Sequence, residues 1–176
     1  MEDLYREKTK ELEKENAALR KKIKLLEDQL FSKLGMHHFY IKNVDQHIKK
    51  FILSCQNQLQ IITCGFDLKF AEIFKNLAND GKKLQLITLE RHQLNEQELI
   101  NAFDRLQGSL INIYTNQNVR ANLIIKDVEQ LLITSTVLYT KKLVDDLNYC
   151  IISLEKQVVE QFQKYFNNHL PQFLRD

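Results

Sequence analysis

The run Val119–Thr136, VRANLIIKDVEQLLITST, decides the fold. It reads as two strands, 119–126 and 130–136, joined as a β-hairpin. Polar side chains interrupt these apolar strands at fixed places: Arg120, Asn122, Asp127, Thr134 and Ser135.

The flanking sequence alternates helices and strands. Asn43 to Cys55 carries Ile48, Phe51, Ile52 and Cys55 on one face and predicts a helix. Gln58 to Cys64 (QLQIITC) is rich in β-forming residues and closes at Gly65. Asp67 is placed to cap a second helix with Phe70, Phe74, Leu77 and Ala78 as its buried stripe, ended by Asp80-Gly81. Lys83 to Leu89 (KLQLITL) alternates as a strand. Asn95 and Glu98 resemble a capping box opening a third helix, Asn95 to Leu106, which Gly108-Ser109 breaks. Phe103, like Phe70 and Phe74, sits at helical spacing and reads as core. Strand candidates follow at 110–115, 119–126, 130–136 and 147–153. A last helix, roughly 155–169, presents Val158, Val159, Phe162, Tyr165 and Phe166 and stops at Pro171. This order predicts an α/β domain over 39–174, a mixed sheet with helices on its faces.

Residues 1–34 follow a different pattern, with no Gly or Pro, and predict one helix. Leu12, Leu19 and Leu26 recur every seven residues, and Tyr5 extends the series. With these at d, Thr9, Asn16, Ile23 and Leu30 fall at a. In a parallel pair each g residue faces the following e residue of the partner. Those pairs are Lys8–Glu13, Glu15–Arg20 and Lys22–Glu27, all opposite in sign. A single Asn at a central a position fixes register and two-strandedness at some cost in stability. The segment therefore predicts a parallel coiled-coil homodimer seamed by Leu12, Asn16, Leu19, Ile23, Leu26 and Leu30, with the helix ending before Gly35.

Composition narrows the class. The 176 residues are 44% hydrophobic and 27% charged with net charge +2, and only 4 Gly and 1 Pro interrupt them, so the chain is a folded one. The charge is not concentrated in either segment, which argues against a nucleic-acid partner. Cys55, Cys64 and Cys150 lie in apolar runs at unrelated spacings and read as small buried hydrophobes in a reducing cytoplasm. No CxxC motif or His/Cys cluster predicts a metal, and His37-His38 point apart on any regular element. No run is long enough to span a membrane and no signal peptide opens the chain. No Gly-rich phosphate loop occurs, and Lys82-Lys83 and Lys141-Lys142 read as solvated surface. A cytoplasmic protein without cofactor or metal is expected.

The spacing inside 119–136 resembles the motif of the phospholipase D superfamily, His-x-Lys-x4-Asp followed after six residues by Gly-Ser. Arg120, Asn122, Asp127, Thr134 and Ser135 stand at those positions. Ser135-Thr136-Val137-Leu138, then Lys141-Lys142 and Asn148, partly match the family's continuation, with Val137 in place of an Asn and Cys150 where an acid is common. The resemblance covers residues 40–170 and implies a phospholipase D-like fold. It also implies lost chemistry. In the family the histidine attacks phosphorus, which needs a free lone pair; an arginine stays protonated and cannot. Asn122 brings no charge to offset a phosphoryl transition state. The expectation is no enzyme, with Arg120, Asn122, Asp127 and Ser135 kept as a degenerate ligand-binding set. Single-copy members pair their motifs across a homodimer axis, so a coiled coil implies two Arg120, two Asn122 and two Asp127 near one axis.

A coiled coil followed by a degenerate phospholipase D-like domain also resembles regulators of the TrmB type, here without their N-terminal winged helix. That implies a dimeric regulatory or ligand-sensing module for a small anion or a sugar. The alternatives are a structural adaptor dimerised by its coiled coil, and a divergent nuclease or phosphodiesterase using His92 or His169.

Overall fold

The computed structural model describes residues 8–9, 12–19, 21–22, 38–145 and 148–174. Strand β1 (His38–Tyr40) leads into helix α1 (Val44–Leu53). Then come β2 (Gln58–Thr63), α2 (Leu68–Asn79), β3 (Lys83–Thr88), a 3-10 turn (Arg91–Gln93), α3 (Gln97–Leu106) and β4 (Asn112–Thr115). The hairpin is β5 (Leu123–Lys126) and β6 (Gln130–Thr134), followed by α4 (Thr140–Asp145), β7 (Cys150–Ser153) and α5 (Lys156–His169). The strands form one mixed sheet in the order β1-β7-β6-β5-β2-β3-β4. The β2–β3 and β3–β4 pairs are parallel, as helical crossovers require. The hairpin and its neighbours pair antiparallel.

Alternation along the strands splits the core in two. Leu59, Ile61, Leu84, Leu86, Ile124 and Leu132 face α1 to α4. Ile62, Ile87, Leu123, Ile125 and Leu131 face α5, which covers them with Val159 and Phe166. The α2 stripe is as expected, with Phe70, Phe74, Leu77 and Ala78 buried.

Asp67 caps α2 with a bond from the Phe70 N–H at 3.0 Å. Its other carboxylate oxygen accepts the Thr140 N–H at 2.7 Å, at the start of α4. That contact explains a helix that periodicity did not predict. Six residues are too few to show a period, and α4 is fixed instead by a carboxylate far away in sequence. Strand β1 was likewise unexpected, being three residues on an edge.

Two expectations are corrected in detail. The strand expected over 119–126 begins only at Leu123, because the preceding residues turn, with Val119 N–H on the Asn116 carbonyl at 3.2 Å. Helix α3 begins at Gln97 with no side-chain cap. Glu98 turns away from the expected box to accept the Tyr139 hydroxyl at 2.9 Å and the Lys141 ammonium at 3.1 Å.

In the N-terminal segment residues 12–19 are helical, with Leu12 54% and Leu19 51% exposed. Asn16 lies between them on the same exposed helix. Ile23, Leu26 and Leu30 lie outside the described residues.

Candidate functional site

The parallel strands β2, β3 and β4 end at one edge of the sheet. Because β5 runs antiparallel to β2, Arg120 and Asn122 enter β5 at that same edge. Topology therefore brings together four short sequences: the ends of β2 and β3, the approach to β5, and the end of β6.

A single row of side chains crosses the sheet there. Thr88 is level with Thr63. Asn122 binds Thr63 across the β2–β5 seam, and the Thr134 N–H donates to the Asn122 carbonyl at 3.0 Å. Thr134 pairs with Cys150, and Cys150 with Tyr40. Side chains level across neighbouring strands share a face, so Thr88, Thr63, Asn122 and Thr134 form a polar band on the face covered by α1 to α4. Thr63 and Thr88 are 0% exposed and Thr134 4%. Among the described residues the hydroxyls of Thr88 and Thr134 find no partner.

Asn122 is held firmly. Its Oδ1 accepts the Thr63 hydroxyl at 2.9 Å and the Cys64 N–H at 3.0 Å. A backbone N–H can only donate, so the amide oxygen must point at Cys64, and the Nδ2 end is left to donate elsewhere. Arg120 is exposed, and its Nη1 donates to the carbonyls of Gln117 at 3.1 Å and Val119 at 2.7 Å. The half-buried Cys64 thiol lies 3.7 Å from the Val119 carbonyl. Burial raises the Cys64 pKa, and the Arg120 guanidinium pulls against that shift.

Ser135 follows Thr134, so alternation turns it to the opposite face. Its Oγ accepts the Tyr149 N–H at 3.0 Å and faces Asn148 Oδ1 at 3.4 Å. The Asn148 amide in turn donates to the Lys142 carbonyl.

Asp127 does not join this set. It stands at the far end of β5, five residues from Asn122, or about 16 Å along a strand. Its backbone is left-handed, with φ 54°. Its carboxylate accepts the N–H groups of Gln56 at 3.0 Å, Asn57 at 2.7 Å and Gln58 at 3.0 Å. The Cys55 thiol lies 3.7 Å from the same carboxylate. Burial pushes the Asp127 pKa up, but these donors outweigh it and hold the carboxyl below its ordinary range. Asp127 therefore fastens the turn before β2, and a pocket shared by Arg120, Asn122 and Asp127 is not what this chain builds.

The two histidine candidates lie on segments next to the motif edge, and among the described residues neither imidazole is bonded to a motif residue. His92 follows the end of β3, exposed, with its Nδ1 3.3 Å from Glu90. The His169 carbonyl accepts from the Asn116 side chain at 3.1 Å, and the Asn116 N–H binds the Thr88 carbonyl at 2.9 Å. His169 Nδ1 lies 2.9 Å from the Tyr165 carbonyl.

Sequence reasoning passed over the threonines. Their signal was present as a repeat: QLQIIT, KLQLIT and QLLIT all end in Ile-Thr. Each pair puts an apolar residue on one face and a hydroxyl on the other at the same edge.

Among the described residues no group of three or more His, Cys, Asp or Glu is placed to hold a metal. No described helix is long and apolar enough to cross a membrane.

No protein-family model and no curated protein sequence matches the chain. Solved structures do. NucT from Helicobacter pylori matches with a TM-score of 0.62 at 12% identity, over 75% of this chain and 93% of its own. Nuc from Salmonella typhimurium, a phospholipase D family member, matches at 0.64 and 15% identity, over 70% of this chain and 84% of its own. TrmBL2, an archaeal chromatin protein with a novel mode of DNA binding, matches at 0.55 and 18% identity, over 90% of this chain and 63% of its own. The chain has a phospholipase D-like fold.

Proposed function

We propose that this chain is a catalytically inactive phospholipase D-like module acting as a regulatory or ligand-sensing homodimer. The observation that carries this reading is the state of the motif edge. Arg120 and Asn122 occupy the nucleophile and lysine positions. Asn122 is tied to Thr63 and Cys64. Thr134 stands where the family places glycine, directly across from Asn122, so a branched side chain fills the space beside the lysine position. What is left is a donor set, the rest of the Arg120 guanidinium and the Asn122 amide, suited to an anion or a hydroxyl-bearing ligand.

The exposed Leu12 and Leu19 and the matched charges around them support a parallel coiled-coil dimer. TrmBL2 matches this chain over a span that reaches past the domain into the N-terminal segment. Its DNA binding is not carried over, because charge here is nearly balanced in both segments. In such a dimer the domains are tethered beside β1. Asn122 stands three strand spacings in from that edge, roughly 14 Å. Two Arg120 side chains therefore meet only if both motif edges turn toward the axis.

Two measurements test the reading. The chain is expected not to hydrolyse bis-p-nitrophenyl phosphate. A thermal-shift screen of phosphate, sugars and nucleotides is expected to find a stabiliser lost in Arg120→Ala; a ligand at 100-fold its Kd adds about 2.7 kcal/mol. No shift with any of them favours an adaptor role. A second reading, a divergent phosphodiesterase, draws on His92 and His169 lying on segments that adjoin the motif edge, His169 through its backbone carbonyl on Asn116. Turnover abolished by His169→Ala or His92→Ala would establish it and overturn the first.

A further inference from the structure

The face of the sheet opposite the Asn122 row is covered unevenly. Helix α5 packs there on β5 and β6, with Val159 and Phe166 buried beneath it. Beyond β6 the same face continues across β7 and β1. Ile151 is level with Ile133, and Phe39 with Ile151. Side chains level across neighbouring strands share a face, and Ile133 packs against the core under α5. Ile151 and Phe39 therefore extend that apolar surface toward the β1 edge.

Two more side chains join them. Tyr149, two residues before Ile151, sets its ring 5.7 Å from that of Phe39. Ile41 follows β1 directly and is 61% exposed, and Tyr149 is 40% exposed. Phe39 and Ile151 are partly exposed, and all of these side chains stand outside both cores. Large apolar side chains gathered in one place on a surface mark an interaction site, whereas scattered ones do not.

The place of this patch in the chain singles out its partner. The chain enters the domain through β1, and only residues 35–37 separate β1 from the segment whose heptads predict a parallel coiled coil. From Leu34 to His38 is about 14 Å at full stretch, and the helices of a two-stranded coil lie about 10 Å apart. Each β1 is thus held within roughly 20 Å of the coil's twofold axis. The patch around Phe39 adjoins that tether. In a twofold dimer the same patch of the second copy lies at the same distance across the axis. A tether this short sets an effective concentration on the order of millimolar, so a modest apolar contact is enough to close.

We infer that Phe39, Ile41, Tyr149 and Ile151 form a docking surface for the same surface of a second copy of this chain. The inference rests on the parallel coiled coil of the proposed function. Such a contact turns the Asn122 row, on the opposite face of the sheet, away from the axis. Each copy then keeps its own motif edge, and the two Arg120 side chains do not meet.

The test is sedimentation equilibrium of the full chain and its variants, with the melting temperature of each as a check on folding. The wild type is expected to dimerise. Ile41→Glu is expected to weaken the dimer at least about tenfold, because it places an unpaired charge in the contact, and Tyr149→Ser to weaken it in the same direction. Leu110→Glu changes a 74% exposed leucine next to β4, at the far edge of the sheet, and is expected to leave association unchanged. Dimers of Ile41→Glu and Tyr149→Ser as tight as the wild type overturn the docking surface and leave the coiled coil standing. If those variants melt lower at unchanged association, the chain's own N-terminal segment covers the patch, which also overturns it. An equal weakening by Leu110→Glu, or a wild-type monomer, does the same. A dimer lost in Ile41→Glu but kept in Leu12→Lys with Leu19→Lys upholds the surface and removes the coiled coil.

Discussion

Asn122 and Thr63 face each other across the β2–β5 seam, 2.9 Å apart, with the asparagine oxygen also taking the Cys64 N–H. The residue at the family's lysine position has thereby become part of the sheet's internal bonding. Asn122→Ala removes the acceptor and leaves the Cys64 N–H unpaired in a half-buried place. The expected loss is about 1–3 kcal/mol in urea unfolding. Asn122→Asp keeps both acceptor contacts and is expected to recover most of that loss. Asn122→Ala as stable as the wild type would show that these bonds contribute nothing.

Asp127 predicts a pH dependence. Its folded pKa is depressed, because the N–H donors of Gln56, Asn57 and Gln58 outweigh burial. A depressed carboxyl contributes stability that is present above its unfolded pKa, about 3.9, and is lost as pH falls through the lower folded value. Melting temperature is expected to fall below about pH 4, and Asp127→Asn to flatten that limb. Asparagine tolerates the left-handed backbone of this position, so the variant should fold. An unchanged acid limb in Asp127→Asn would assign the dependence to other carboxylates.

The three thiols should differ in reactivity. Burial pushes Cys55 up to about 11, with Asp127 adding to it, and pushes Cys150 up to about 12. Both are expected to resist iodoacetamide in the native state, since the thiolate is the nucleophile. Cys64 is half-buried and sits beside Arg120, which counters part of its upward shift. It should alkylate first, and more slowly in Arg120→Ala. Mass spectrometry after short exposure at pH 8 reads all three rates. A faster Cys64 in Arg120→Ala would mean that the arginine shields the thiol more than it activates it.

The coiled coil has its own test. Leu12→Lys with Leu19→Lys places four charges in a two-stranded seam and is expected to give a monomer by sedimentation equilibrium, with the domain still folded. Asn16→Val is expected to strengthen association and loosen its specificity, so that species larger than a dimer appear. A wild-type monomer at tens of micromolar would remove the dimer from the proposed function.

What could be read in the sequence was what repeats locally. The hairpin around Asp127, the stripe Phe70-Phe74-Leu77-Ala78 and the Asp67 cap each follow from neighbouring residues, and the structure has all three. The resemblance of the 119–136 spacing pointed to the fold that the solved structures share. What escaped were features fixed by distant partners. The role of Asp127 is set by Gln56 to Gln58, some seventy residues earlier. The β1 strand has three residues and exists only because β7 offers it a ladder. The threonine band was written as Ile-Thr at three strand ends, and only the sheet order shows that the three are level.

Asp67 carries a consequence for the order of assembly. One carboxylate caps α2 through Phe70 and α4 through Thr140. The first contact spans three residues and the second seventy-three. Local contacts form early, and those across long loops wait for the chain to be drawn in. The α2 end of the bond can therefore be in place while α4 is still unstructured. Helix α4, too short to hold itself, forms only on a template that the first half of the domain has already laid down.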